Sequence, residues 1–331
     1  MYKKYNFSRY VLIAFLSTTL AVTSNSLQVE AKTIPRENIL RGENYGKLRN
    51  QGKLRTYYMY TPKSYNPQKA MSLVLVFHGD NGSGNSMRKV SRFNNLAEQK
   101  GFIAVYPNAL DHQWSFTGHI RQKVDDISFI AALIEHIERI RNINSHKIYA
   151  TGFSQGGILT QALACRLPNK FAAFASVAGS LTARLVRSCH PPISISMMMI
   201  NGTNDFSVHY YHGDPITQKE ALVSIPETTN FWRRHDQCTS SSQFQELTRT
   251  KYHNHLEVKA FRYSGCRNGS EVLQFAVVNG GHFWPGGAST DPQLNQLNTQ
   301  LGFNASRTIW SFFQRHSLSY LKAPTTRKTE N

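Results

Sequence analysis

Residues 146–163 read HKIYATGFSQGGILTQAL. The stretch begins as a short apolar run and ends with apolar residues at helical spacing. Between them stands Gly152-Phe153-Ser154-Gln155-Gly156, with no linker on either side. A bare G-x-S-x-G arises often by chance, but one that closes a buried strand and opens a helix has a mechanical meaning. The chain turns so sharply there that a side chain at 152 or 156 would collide with neighbouring backbone, hence the two glycines. The turn presents the Ser154 hydroxyl at the head of the helix, and the Gln155 backbone N–H points at the same place, where it can hold an oxyanion. The competing reading is a glycine-rich structural turn without chemistry.

On both sides of this stretch, buried apolar runs alternate with longer amphipathic ones. That is the pattern of a mostly parallel central sheet covered by helices on both faces. Strands are expected at 54–60, 72–77, 103–106, 147–151, 172–177, 195–200, 257–263 and 272–278, and helices at 86–100, 127–141, 155–166, 227–235 and 305–317. No internal repeat or Pro/Ser-rich linker intervenes, so a single α/β catalytic domain is expected over 51–318, with an N-terminal extension at 32–50. The basic, polar tail at 319–331 is expected to be disordered. Asp125 and Asp126 stand where a helix N-cap belongs, ahead of ISFIAALIEHI, and are read as structural.

A serine hydroxyl is a weak nucleophile near neutral pH and needs a base oriented by a third group. After an elbow of this kind the acid comes next in the chain and the histidine last. Of the 13 histidines, His282 in VVNGGHFWPGG follows an expected strand and is flanked by glycines that let its loop approach the site. His253 and His255 lie in a polar stretch and read as surface residues. Asp205 in SISMMMINGTNDFSV follows an expected buried strand and is the candidate acid, with Asp236 and Asp291 as rivals. The loop after SLVLVF is His78-Gly79-Asp80-Asn81-Gly82, and its Asp80 backbone N–H is the candidate second oxyanion donor. His78 is expected to be packed and hydrogen-bonded under that loop. Trp114 and Trp284 fall in loops at the same end of the sheet and are candidate substrate-binding residues, unless one simply packs on the other. His209 and His212 lie near Asp205, but no supporting Cys/His/Glu cluster points to a metal, and no cofactor is expected.

The chain has 331 residues and 40% apolar content, enough for a full core. Residues 1–31 read as an export signal, with Lys3, Lys4 and Arg9 ahead of an apolar run at 10–22 that is too short to span a bilayer. Cleavage is expected before Lys32, with a cut near Ser24 or Ser26 as the alternative. No later run is long enough for a transmembrane segment in the mature chain. Cys165, Cys189, Cys238 and Cys266 can pair in three ways, and the sequence-local pairs Cys165–Cys189 and Cys238–Cys266 are favoured over free thiols. The formal charge is +18, and removing residues 1–31 takes away three Lys/Arg and one Glu to leave +16. Attraction to anionic surfaces follows, although the excess is spread along the chain as on a solvated basic surface. No helix-turn-helix, zinc-finger or RNA-binding pattern supports a nucleic-acid partner.

Taken in order, LVLVFHGDNG, VDDISFI, GFSQGG, FAAFASVAG, NGTNDFSV, GGHFWPGG and IWSFF resemble the esterase family named after secreted poly(3-hydroxybutyrate) depolymerases, which includes feruloyl and acetylxylan esterases. The resemblance covers about residues 50–318. It implies an α/β-hydrolase fold with Ser154 as nucleophile, Asp205 as acid and His282 as base, in agreement with the positional reading. It further implies an exported bacterial serine esterase, secreted or periplasmic, that acts on 3-hydroxybutyrate, feruloyl or acetyl esters through an acyl-enzyme. Cys165 near a helix end and Cys189 before the Asp205 strand are placed as family members often have them. The chain departs from the family at Asn201, where a histidine is usual, and at Val208-His209-Tyr210 in place of V-P-Y, which bears on the pocket rather than the triad. No separate polymer-binding module follows, which suits a soluble ester. Sequons at Asn81, Asn201, Asn268 and Asn304 are read as unglycosylated. The alternatives are a serine peptidase or thioesterase on the same fold, and a basic non-enzymatic surface-binding protein.

Overall fold

The computed structural model describes residues 40–116, 125–216, 220–240, 243–249 and 256–318. These lie within one compact unit, 34–331. The expected signal at 1–31, the tail at 319–331, His253 and His255 lie outside the described residues.

The chain opens with strands β1 (Gly42–Asn50), β2 (Lys53–Thr61) and β3 (Met71–Phe77), then helices α1 (Gly84–Ser91) and α2 (Phe93–Lys100). Next come β4 (Phe102–Pro107), α3 (Asp126–Ile140), β5 (Ile143–Phe153), α4 (Gln155–Arg166), β6 (Ala173–Val177), α5 (Ala183–Ser188) and β7 (Met197–Gly202). The remainder is β8 (Asp214–Ile216), β9 (Glu220–Leu222), α6 (Ile225–His235), β10 (Gln243–Arg249), β11 (Glu257–Tyr263), β12 (Val272–Val278), α7 (Pro292–Gln300) and α8 (Ala305–Phe313).

A 10-stranded sheet runs in the order β1-β2-β4-β3-β5-β6-β7-β12-β11-β10, and β8 with β9 forms a separate ribbon. From β4 to β12 all neighbours are parallel, and antiparallel strands finish both ends. Parallel strands covered on both faces must be apolar throughout, and β4, β6 and β7 are buried at every position. Alternation sorts β3 between the two faces. Leu73, Leu75 and Phe77 meet Phe129, Leu133 and Leu159 on one side; Val74 and Val76 meet Phe93, Leu96 and Phe312 on the other. The architecture is the α/β-hydrolase one that the motifs imply.

Three departures have physical causes. Residues 42–50, expected in an N-terminal extension, form the edge strand β1 and pair with β2 along nine residues. The strand is polar and contains Gly46, where a Cβ would stand 2.1 Å from the Tyr57 ring, so the absent side chain admits the tyrosine. The helix expected at 86–100 is two helices, broken at Arg92 with φ 54°. Apolar periodicity continues across the break, but the Val90 carbonyl accepts from Ala288 N at 3.0 Å and the Ser91 carbonyl from the Ser306 hydroxyl at 2.6 Å, bonds that long-range packing imposes. Helix α8 stops at Phe313 rather than 317. The short α5, the polar α7 and the edge strand β10 carry too little apolar pattern to be read from sequence.

Both sequence-local disulfides are present: Cys165–Cys189 joins α4 to the end of α5, and Cys238–Cys266 joins the segment after α6 to the loop after β11. Asp125 caps α3, its carboxylate accepting from Ser128 N at 3.0 Å. No helix among the described residues is long and apolar enough to cross a membrane.

Candidate active site

Ser154 sits at the β5–α4 junction with φ 55° and ψ −121°, a region that non-glycine residues occupy only when their surroundings compel it. The compulsion is visible. Ser154 N donates to Val177 O at 2.9 Å, and Ser154 O accepts from Ile158 N at 3.0 Å. A Cβ at Gly152 would lie 2.3 Å from Gly156 O, and one at Gly156 would lie 2.4 Å from Phe77 O. The predicted collisions are therefore real, and they pin strand, turn and helix together.

Asp205 follows β7 and His282 follows β12, strands that are neighbours in the sheet. His282 Nδ1 and Asp205 Oδ2 are 2.7 Å apart, so the carboxylate holds the ring proton on Nδ1 and leaves Nε2 as an acceptor. Asp205 Oδ1 accepts from Ser207 N at 2.8 Å and Val208 N at 2.9 Å. The carboxylate is 0% exposed and the imidazole 16%, which suits an orienting acid behind an accessible base. The two loops are tied to each other by Asn204 N to Gly280 O at 2.9 Å and Thr203 N to Val277 O at 2.9 Å. Phe153, next to the elbow serine, packs its ring on that of His282 at 4.8 Å. The rivals have other work. Asp236 is buried and accepts from Ile195 N at 2.9 Å and from His235, while Asp291 caps α7.

The loop after β3 also reaches the serine, since a Cβ on Gly79 would stand 3.2 Å from Ser154 Cβ. Gly79 O accepts from Gly82 N at 3.1 Å, a tight turn whose own bond does not use the Asp80 N–H. Helix geometry likewise leaves the Gln155 N–H without an intrahelical acceptor. These are the two N–H groups that the sequence offers as candidate oxyanion donors. His78 lies beneath the loop, 1% exposed. Its Nδ1 donates to Gly79 O at 2.7 Å and its Nε2 accepts from Ala109 N at 3.1 Å. Burial lowers its pKa to about 4, so it is a neutral packing residue, as expected.

Residues 72–207 match the family model described as alpha/beta hydrolase fold. The chain has the α/β-hydrolase fold. It is 26% identical over 283 residues to a protein of Nocardia uniformis subsp. tsuyamanensis named as an esterase, NocK, over 76% of this chain and 79% of that one. It is 24% identical over 278 residues to feruloyl esterase D of Neurospora crassa, over 80% and 83% of the two chains. Among solved structures, an acetyl xylan esterase from Aspergillus awamori shares the fold with a TM-score of 0.54 at 16% identity, over 73% of this chain and 95% of that one.

Both tryptophans expected at the substrate are buried in the structure. Trp284 is 3% exposed, donates its indole N–H to Ser306 Oγ at 3.0 Å and meets Phe93 edge-on. Trp114 is 4% exposed and packs on Phe77 and His78. A buried indole needs a partner for its N–H, and both find one inside the protein. Trp114 gains a different role, because its indole donates to His78 O at 2.8 Å and its backbone N to Gln155 Oε1 at 2.7 Å. It thus touches both the His78–Gly82 loop and Gln155. The next residue, Ser115, donates its N–H to Asp126 Oδ2 at 2.6 Å, and Asp126 is paired with the buried Arg55. Asp126 is structural, as read from sequence, but its contacts brace the loop under the site rather than cap α3. The Gln155 side chain and Arg55 were not singled out by sequence; nothing local marks them. His209 and His212 are exposed near Asp205, and among the described residues no group of three or more His, Cys, Asp or Glu converges as a metal site.

Proposed function

We propose that this hydrolase cleaves carboxylic esters by a two-step Ser-His-Asp acyl transfer. His282 Nε2 takes the Ser154 proton as Oγ attacks the ester carbonyl. The backbone N–H groups of Asp80 and Gln155 hold the oxyanion, and His282 then returns the proton to the departing alcohol. Water activated by His282 releases the acyl group from Ser154. Asp205 keeps His282 in the required tautomer and stabilises its charged form. The observation that carries this reading is the 2.7 Å His282–Asp205 contact, on loops that follow neighbouring strands, with the His282 ring packed on Phe153, the residue before a serine in elbow conformation.

The names of the relatives favour feruloyl or acetylxylan esters, and the motif resemblance adds 3-hydroxybutyrate esters. Export to an oxidising compartment is part of the proposal, supported by two disulfides and the signal-like N-terminus. The test is hydrolysis of a short-chain activated ester by the purified chain beside Ser154→Ala, followed by a panel of feruloyl, acetyl, 3-hydroxybutyrate, thioester and peptide substrates. Turnover that vanishes in a folded Ser154→Ala protein is expected. If the folded wild type turns over nothing, the enzymatic reading fails and anionic-surface binding takes its place.

A further inference from the structure

The large hydrophobic side chains exposed among the described residues fall into two groups. Leu40, Tyr45 and Leu54 lie along the β1–β2 edge, whereas Phe206 and Tyr211 lie on the loop that carries Asp205. Phe206 is 80% exposed and Tyr211 65%, whereas most other large aromatics among the described residues are buried. With Thr203, Asn204, His209 and His212 they line a cleft of about 220 Å³ that Asp205 borders from within.

The loop is held in shape. Asp205 takes the N–H groups of Ser207 and Val208, and Val208 and Tyr210 are anchored in a small buried cluster with Ile225. Tyr210 supports the Tyr211 ring edge-on at 4.9 Å, and its carbonyl accepts from Ile225 N at 2.9 Å. Two rings presented to water on a braced loop form a preorganised surface, and an exposed aromatic patch beside a catalytic site is a place where ligand docks.

We propose that Phe206 and Tyr211 form a docking subsite for a sugar ring of a polysaccharide ester. The proposal rests on the ester-hydrolase reading of the neighbouring site. A pyranose offers an apolar C–H face that lies on an aromatic ring, and hydroxyls at its rim that hydrogen-bond to an imidazole such as that of His212. The rings stand open at the surface, which suits a chain that continues past the site; a small acyl group would be enclosed instead. The cleft is below the range of drug-sized ligand pockets and has room for one ring. Of the triad only Asp205 borders it, so the sugar is held beside the reacting ester and not on it.

The experiment is affinity electrophoresis of the full chain carrying Ser154→Ala, which blocks turnover, in gels with and without neutral soluble xylan. Xylan should retard this protein, and adding Phe206→Ala with Tyr211→Ala should weaken apparent affinity at least about tenfold. Phe206→Leu and Tyr211→Leu, which keep apolar bulk without the ring, should behave the same way and guard against misfolding, with thermal melting as the check. Equal retardation of all variants, no retardation of the Ser154→Ala protein, or retardation only by an anionic polysaccharide would each overturn the subsite. Hydrolysis of a small activated ester by the wild type is scored separately, so loss of the enzymatic reading and loss of the subsite are distinct results.

Discussion

Replacing Trp114 by Phe removes one hydrogen-bond donor from beneath the loop proposed to hold the oxyanion, while keeping an aromatic ring in the site. The indole N–H donates to the buried His78 carbonyl at 2.8 Å, and Phe has nothing to offer in its place. A buried acceptor left unpaired costs about 1–3 kcal/mol. If the loop holds its position, that cost falls on folding stability. If the loop shifts to seek water, His78-Gly79-Asp80 moves away from Ser154 and the Asp80 N–H leaves the oxyanion, whose complete loss would lower kcat by about 10²–10³. The Gln155 donor is less affected, because its brace is the Trp114 backbone N–H, which Phe retains. The expected outcome is a kcat lower by about 10- to 100-fold at nearly constant KM. The assay is steady-state hydrolysis of a short-chain activated ester, combined with inhibition by a boronic acid that forms a tetrahedral adduct on Ser154. The inhibition constant should weaken by the same factor as kcat/KM, since both report oxyanion stabilisation. Unchanged kcat and unchanged boronate affinity, with only a lower urea midpoint, would refute the reasoning and leave Trp114 as a space-filling residue.

Asp205→Asn should reduce kcat by roughly 10⁴ in a folded protein, because an amide oxygen can still accept from Ser207 and Val208 while the amide group no longer holds the His282 proton on Nδ1; near-normal turnover would move the acid elsewhere. His78 titrates in the folded protein at about 4, pushed down by burial, against 6.5 when unfolded. The folded state therefore binds fewer protons, and the stability this group contributes is full above about pH 6.5 and falls by about 3 kcal/mol as pH drops through 4. Urea midpoints between pH 7 and 4, compared with those of His78→Gln, should show the difference, and a His78 NMR resonance that titrates near 6.5 would contradict it. The disulfides close sequence separations of 24 and 28, so removing either by paired Cys→Ser substitution should lower stability by about 3 kcal/mol. Thermal melts under non-reducing conditions would check this.

The constraints that could be read along the chain are local or periodic. The elbow is legible because its collisions lie between near neighbours, as with Gly152 against Gly156. The parallel strands are legible because burial on both faces demands unbroken apolar runs. Polar β1 is different: its place in the sheet depends on a tyrosine from the next strand filling the space over Gly46. The 86–100 stretch has helical periodicity throughout, and the capture of the Val90 and Ser91 carbonyls by Ala288 and Ser306 accompanies its break. The same limit applies to the tryptophans, because a loop aromatic reads alike whether it faces substrate or core.

Sequence by itself thus determined the fold class, the elbow around Ser154, and the two loops from which an acid and a base could come. Tertiary structure alone decided that Trp114 braces the loop while Phe206 and Tyr211 stand open; Asp205 as the partner of His282 and the sequence-local disulfides were already the favoured readings of the sequence. Steric and hydrophobic periodicity act between residues a few positions apart and are written in the local order. Hydrogen-bond partners and the direction a side chain faces are set by groups far along the chain, as with Trp114 and His78, and exist only after the sheet has brought them together.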